Sequence, residues 1–223
     1  MPTNPINTGR YLLLATDIAG YGSGDAQRHR SIQRTLVDIL HEAADAAVLH
    51  RKLWTTQPSG DGELAILPTS EPEHRLVDDF VRHLHRLLNQ CNATRIEEAR
   101  LRLRMAVHEG VVSQAANGFA GQAVVQVKRL LSCSALRQTL ETSDTSLAVI
   151  VSDEIYDGTI SQGYTTYHLD DFRRVQVLEK EYRGHAWVHV PRTFVQSKAR
   201  PVSLPDGVIP VTPVPANGNE GAS

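Results

Sequence analysis

The sequence predicts an α+β fold, helices packed on a mainly antiparallel sheet, with the ferredoxin-like element order βαββαβ at its core. Three observations carry that prediction. Apolar runs short enough for strands alternate with longer segments whose apolar residues recur at helical spacing. Two of the runs are separated only by Pro58-Ser59-Gly60-Asp61-Gly62, which suits a hairpin and is too short for a parallel crossover. The chain of 223 residues is 41% hydrophobic, enough for one core of ordinary domain size.

Each element follows from local pattern. Residues 10–18 form an apolar run bounded by Gly9 and Gly20, with the length and flanks of a buried strand. Asp25 is placed to cap a helix in which Ile32, Leu36, Ile39, Leu40, Ala43 and Ala47 repeat at helical spacing toward His50. Residues 53–57 and 63–67 are the hairpin strands. A second amphipathic helix spans residues 73–89, with Leu76, Phe80, Val81, Leu84, Leu87 and Leu88 facing inward. Residues 101–112 alternate as a strand and lead into a loop through Asn117-Gly118. Residues 122–140 are helical with a break at 132–134, 147–151 make a short buried strand, and 175–190 an antiparallel pair turning around Tyr182-Arg183-Gly184. The helices are expected on one face of the sheet, and residues 1–190 as one domain. Residues 191–223 hold six of the eleven prolines and end in Asn-Gly-Asn-Glu-Gly-Ala-Ser, the composition of a flexible tail.

Charge and composition exclude several roles. With 23 Lys+Arg against 25 Asp+Glu the net charge is −2, which argues against binding to nucleic acid or to a membrane surface. Aromatics at 5% are sparse for base-stacking platforms. The longest apolar runs, residues 11–15 and 147–151, fall far short of the roughly 18 residues of a membrane span. Met-Pro-Thr-Asn-Pro lacks the pattern of a secretory signal, and Cys91 and Cys133 make no disulfide or zinc framework, so a cytoplasmic setting is expected.

The chemistry concentrates at the end of the first strand, in Asp17-Ile18-Ala19-Gly20-Tyr21-Gly22-Ser23-Gly24-Asp25. A carboxylate at the exit of a buried strand, followed by a glycine-rich turn into a helix, can hold a divalent cation beside phosphates met by backbone N–H groups. The glycines are spaced GxGxG, which is not the dinucleotide fingerprint, and no GK[ST] follows to make a P-loop. Asp61 occupies the hairpin turn. If the hairpin pairs beside the first strand, Asp61 comes next to Asp17, and two buried carboxylates repel unless a cation or proton lies between them. His108 reads as packed within its strand, because no second ligand stands at metal spacing, and His83 and His85 point to different helix faces. Arg95, Arg100, Arg102 and Arg104 read as a solvated basic edge, Arg129 taken alone, on a helix that also carries Lys128, as a solvated charge, and Trp54 and Trp187 as core or interface residues.

Taken together these residues resemble the class III nucleotide cyclases, the adenylate and guanylate cyclase catalytic domain, in their small stand-alone bacterial form. The first metal motif of that family is similar to Asp17-Ile18-Ala19-Gly20-Tyr21, its Gly-Asp hairpin to Gly60-Asp61, and its Arg-x-Gly-x-His-x-Gly strand to residues 104–110, with Ala106 at the inner glycine. Its catalytic helix lies over residues 121–130, and its last strand pair over Lys180-Glu181 and residues 186–189. The resemblance implies a nucleoside triphosphate substrate bound along Ile18, Ala19, Gly20 and Tyr21. It also implies two Mg²⁺ or Mn²⁺ ions per site held by Asp17, Asp61 and the Ile18 carbonyl, and a cyclic nucleotide second messenger plus pyrophosphate as products. It implies a head-to-tail homodimer in which the opposite wall of each site brings Arg129 to the α-phosphoryl group, Lys180 to the terminal phosphates and Gln57 to the base. Three positions depart from the family pattern. Val125 replaces the asparagine that orients the ribose, leaving Gln126, one residue on, as the nearest amide. Gln57 stands where adenylate cyclases carry lysine and guanylate cyclases glutamate, and Gly118, beside Asn117, takes the second base-reading position. Some antiphage signalling cyclases similar to this family make cyclic pyrimidine nucleotides, so the resemblance extends to a pyrimidine cyclase in that role. Its alternative is a cyclase-like module that binds nucleotide or a partner without turnover.

Overall fold

A computed structural model describes residues 6–21, 26–116 and 118–192. These belong to one compact unit, Met1–Thr193; a second unit, Phe194–Ser223, lies outside the described residues, and so do Asp25 and Asn117. In chain order the elements are β1 (Gly9–Ile18), α1 (Ala26–Ala46), β2 (Thr55–Ser59), β3 (Gly62–Leu67), α2 (Glu73–Arg75) running through a π turn (Leu76–Phe80) into α3 (Val81–Asn92), β4 (Leu103–Ala115), β5 (Gly118–Ala120), α4 (Gln122–Ser132), α5 (Ser134–Thr142), β6 (Leu147–Ser152), α6 (Asp153–Ile155) with a second π turn (Tyr156–Ile160), β7 (Phe172–Glu179) and β8 (Tyr182–His189).

The strands order as β2-β3-β1-β4-β6-β8-β7, and β5 pairs with the end of β4. Neighbours are antiparallel except β4 and β6, which run parallel because α4 and α5 provide the crossover between them. The sheet is thus mainly antiparallel, as expected. Its helices cover both faces, where the sequence reading put them on one. Leu14, Ile18, Leu103 and Met105 face α1 and α3, whereas Leu13, Ala15, Ala106 and Ile150 face α4 and α5. All six residues of β6 are buried, and a strand apolar on both sides needs a cover on each.

Three further corrections are local. The last hairpin turns at Lys180-Glu181, where Glu179 pairs with Tyr182 and Lys180 takes φ 52°; Gly184 lies inside β8. The short β5 and α6 carry too few residues to show a period. The basic run is a solvated edge only in part: Arg100 is exposed, but Arg102 and Arg104 are held by the protein. Arg102 donates from Nε to the Thr145 carbonyl at 3.2 Å and from Nη2 to the carbonyls of Ser143, at 2.9 Å, and Leu140, so it caps the end of α5. No helix among the described residues is long and apolar enough to cross a membrane.

Candidate active site

β3 lies antiparallel beside β1, and Asp17 pairs with Gly62 across the ladder. The Ile18 amide donates to the Asp61 carbonyl at 2.8 Å, which fastens the strand exit to the hairpin turn. Gln33 of α1 donates to the Gly60 carbonyl at 2.6 Å and holds the turn from the other side. Glycine is obligatory at position 62: a Cβ there would lie 1.8 Å from the Thr16 carbonyl oxygen. Asp17 and Asp61 therefore sit side by side, as the hairpin spacing predicted, and both line one cavity of about 280 Å³.

Asp17 is not alone on its own side of the cavity. Arg104, its cross-strand partner on β4, donates from Nε to Oδ1 and from Nη2 to Oδ2, each at 2.8 Å. Burial pushes the Asp17 carboxyl above the usual carboxylate range; Arg104 opposes this through charge and hydrogen bonds, and Asp61 adds to it by repulsion. Asp61 makes no ion pair among the described residues.

Gln57 reaches the same cavity from β2. The β4–β5 hairpin brings Gly118 against it, so closely that a Cβ at Gly118 would lie 2.9 Å from Gln57 Oε1. Gly118 has φ 99° and suits a residue without a side chain, so the two positions read as base-facing converge, Asn117 lying outside the described residues. Ile18 ends β1, the Ala19 amide donates to the Arg102 carbonyl at 2.8 Å, and Gly20 follows at φ 74°; Tyr21 stacks on His29 with centroids 4.4 Å apart.

The remaining candidates cluster elsewhere. Arg129 of α4 donates from Nη2 to Glu181 Oε1 at 2.8 Å, and Glu181 follows Lys180 in the β7–β8 turn. Val125, one helical turn before Arg129, is 39% exposed. Gln126 turns inward, its Oε1 2.8 Å from the Nε2 of buried His108, so the structure does not bring it to the Val125 face. Burial lowers the His108 pKa, while Glu154, 3.6 Å from Nδ1, and the Gln126 bond oppose the shift. The carboxylates and the Arg129–Lys180 group thus occupy separate places in one chain.

Sequence reasoning missed two features of the cavity. The grip of Arg104 on Asp17 depends on strand register, which no local pattern marks, and Lys128, to which the sequence reading gave no role, lines the cavity from α4.

Glu63 also lines the cavity but is held by Arg51 at 2.6 Å, Asp17 and Asp61 alone are too few for a protein-only metal cage, and no cluster of three or more His, Cys, Asp or Glu fit to hold a metal occurs among the described residues. They do fit a hard cation whose other ligands are phosphate oxygens and water, because adjacent carboxylates that repel each other gain from a shared cation.

No protein-family model matches the chain, and no curated protein does. Solved structures do. An adenylate/guanylate cyclase/hydrolase from Silicibacter pomeroyi superposes with a TM-score of 0.55 at 18% identity, covering 84% of this chain and all of the other. The guanylyl cyclase Cya2 gives 0.56 at 13% identity over 87% of this chain and 98% of that one. The guanylate cyclase domain of RhGC from Catenaria anguillulae, solved with GTP, gives 0.53 at 14% identity over 82% and 97%. The chain has the class III nucleotide cyclase fold.

Proposed function

We propose that this protein is a metal-dependent nucleotide cyclase that converts a ribonucleoside triphosphate to a 3′,5′-cyclic nucleotide and pyrophosphate. The observation that carries the reading is the convergence of Asp17, Asp61 and Gln57 on one cavity within a cyclase fold. Asp17, Asp61 and the Ile18 carbonyl would hold Mg²⁺ or Mn²⁺, two ions per site. Bound there, the ions supply acidification of the ribose 3′-hydroxyl and neutralisation of triphosphate charge. The 3′-oxygen attacks the α-phosphorus in line, the α–β bridging bond breaks, and pyrophosphate leaves. Gln57 offers the base both a donor and an acceptor, and Gly118 leaves it room.

Arg129 and Lys180 stand apart from the carboxylates in one chain, so a head-to-tail homodimer supplies them from the second protomer, where Arg129 meets charge on the α-phosphoryl group. Val125 offers the ribose no hydrogen bond, so positioning falls on the remaining contacts. The amide of Gln57 admits a pyrimidine as readily as a purine, which fits a second messenger of pyrimidine type such as serves antiphage signalling.

The test is to incubate purified protein with Mn²⁺ and each of ATP, GTP, CTP and UTP. A cyclic product with equimolar pyrophosphate is expected from at least one, and Asp17→Ala abolishes it. Failure with all four, by a folded dimer, refutes the reading. The hold of Arg104 on Asp17 together with Val125 favours a second reading, a nucleotide-binding module, which predicts saturable nucleotide binding without pyrophosphate release.

A further inference from the structure

Helix α4 carries two adjacent cations that reach different places. Arg129 goes to the β7–β8 turn and pairs with Glu181 at 2.8 Å. Lys128 lines the cavity that holds Asp17, Asp61 and Gln57. Successive residues of an α-helix stand about 100° apart, so these two side chains cannot serve one point. Lys128 is exposed, and its ammonium forms no ion pair among the described residues.

The charges in the cavity explain what that ammonium can do. Arg104 balances Asp17 through two hydrogen bonds and Arg51 balances Glu63, the third carboxylate of the lining, at 2.6 Å, which leaves Asp61 and Lys128 as the carboxylate and the cation outside those pairs. A triphosphate brought in with its cations presents oxygens of negative charge to the α4 wall. A lysine on a flexible stem meets such oxygens as a point charge.

We infer that Lys128 binds the phosphates of the nucleotide held by the Asp17 and Asp61 of its own protomer. Helix α4 then serves two sites at once, its own through Lys128 and the second protomer's through Arg129. This rests on the cyclase reading and goes beyond it by assigning a phosphate-binding residue in cis.

Two measurements test it. Binding of inorganic tripolyphosphate in the presence of Mn²⁺, followed by isothermal titration calorimetry, should weaken about tenfold or more in Lys128→Ala and stay within about threefold in Lys128→Arg. Alanine is a strong helix former at an exposed position, so the variant keeps its fold. Tripolyphosphate binding by Lys128→Ala equal to wild type overturns the inference. The second measurement uses doubly tagged heterodimers. Asp17→Ala paired with Lys128→Ala retains one set of carboxylates, on the protomer that lacks the lysine. That heterodimer should show the raised KM of Lys128→Ala; a wild-type KM would mean that the lysine acts across the dimer and overturns the cis assignment. Absence of cyclic product from the wild type refutes the cyclase reading alone, and the tripolyphosphate titration still decides Lys128.

Discussion

Replacing Arg104 by methionine should make the protein less stable and, at the same time, a tighter binder of Mn²⁺. Arg104 grips Asp17 with two hydrogen bonds of 2.8 Å, and the side chains are only 15% and 16% exposed. Exposed ion pairs contribute less than about 1 kcal/mol, whereas removing one partner of a buried pair costs about 3–5 kcal/mol. At this burial a loss of about 2–3 kcal/mol is expected, with methionine filling most of the space. What remains is a carboxylate that burial already disfavours, next to Asp61, whose charge repels it. A divalent cation relieves that charge directly, while in the wild type it must first displace the guanidinium. The same 2–3 kcal/mol then appears as Mn²⁺ affinity, roughly thirty- to hundredfold tighter in Arg104→Met at about 1.4 kcal/mol per decade. Calorimetric titration with Mn²⁺ reads the affinity, and urea unfolding with and without the ion reads the stability. At about 100 times its Kd the ion should return about 2.7 kcal/mol to the variant. A folded Arg104→Met that binds Mn²⁺ no more tightly than wild type would refute the reasoning, because Arg104 would then not compete with a cation for Asp17.

Three other outcomes follow from the same coordinates. Arg51 and Glu63 form a buried pair of 2.6 Å, 4% and 8% exposed, with Arg51 also 5.2 Å from the Trp54 ring; Arg51→Ala should cost about 3–5 kcal/mol in urea unfolding. The double replacement Arg51→Met with Glu63→Leu should cost less than that single one, and a larger loss would contradict the account. Val48, at φ 57° and 61% exposed, closes α1 in a conformation that penalises a β-branched residue, so Val48→Gly should gain about 1 kcal/mol and raise the melting temperature by roughly 2–4 °C in calorimetry. His85, His108 and His189 are buried, and burial holds each below its ordinary pKa of 6.5. The unfolded chain therefore binds more protons, and stability present above pH 6.5 is lost as pH falls below it. Urea midpoints should drop between about pH 7.5 and about pH 5, and a flat profile would show that these rings gain partners when charged.

The features legible in the sequence and those hidden from it differ by the physics that determines them. Helices α1 and α3 and strands β1, β3 and β6 show their period or their apolar run within a dozen or so residues, so local pattern finds them. The adjacency of Asp17 and Asp61 was equally readable from the hairpin placed beside the first strand, although the turn is tighter than the five residues 58–62 suggested, since Ser59 and Gly62 already pair. Periodicity says that a residue is buried but not on which side of a sheet, and so it missed that α4 and α5 cover the face opposite α1 and α3. Register is a still finer quantity. Asp17 meets Arg104 because β1 and β4 align over ten residue pairs, and a slip by one would move every side chain to the other face. No local signal marks that alignment, so an arginine that holds the site's carboxylate reads as one more charge on an edge. The same holds for the buried pair of Arg51 and Glu63, which no local pattern announces, because it forms only when the loop before β2 meets β3. On α4 the sequence offered Val125 and Gln126 as alternatives for one role, and the choice turned on His108, which draws Gln126 inward. The same helix, docked through the buried Ala123, Val124, Val127 and Leu130, carries Lys128 to the cavity and Arg129 to the β7–β8 turn. If the His108 bond shares in that docking, its loss disturbs both places together: His108→Ala is expected to weaken tripolyphosphate binding through Lys128 and to lower turnover through Arg129, whereas an effect on neither would mean that α4 is positioned by its apolar face alone.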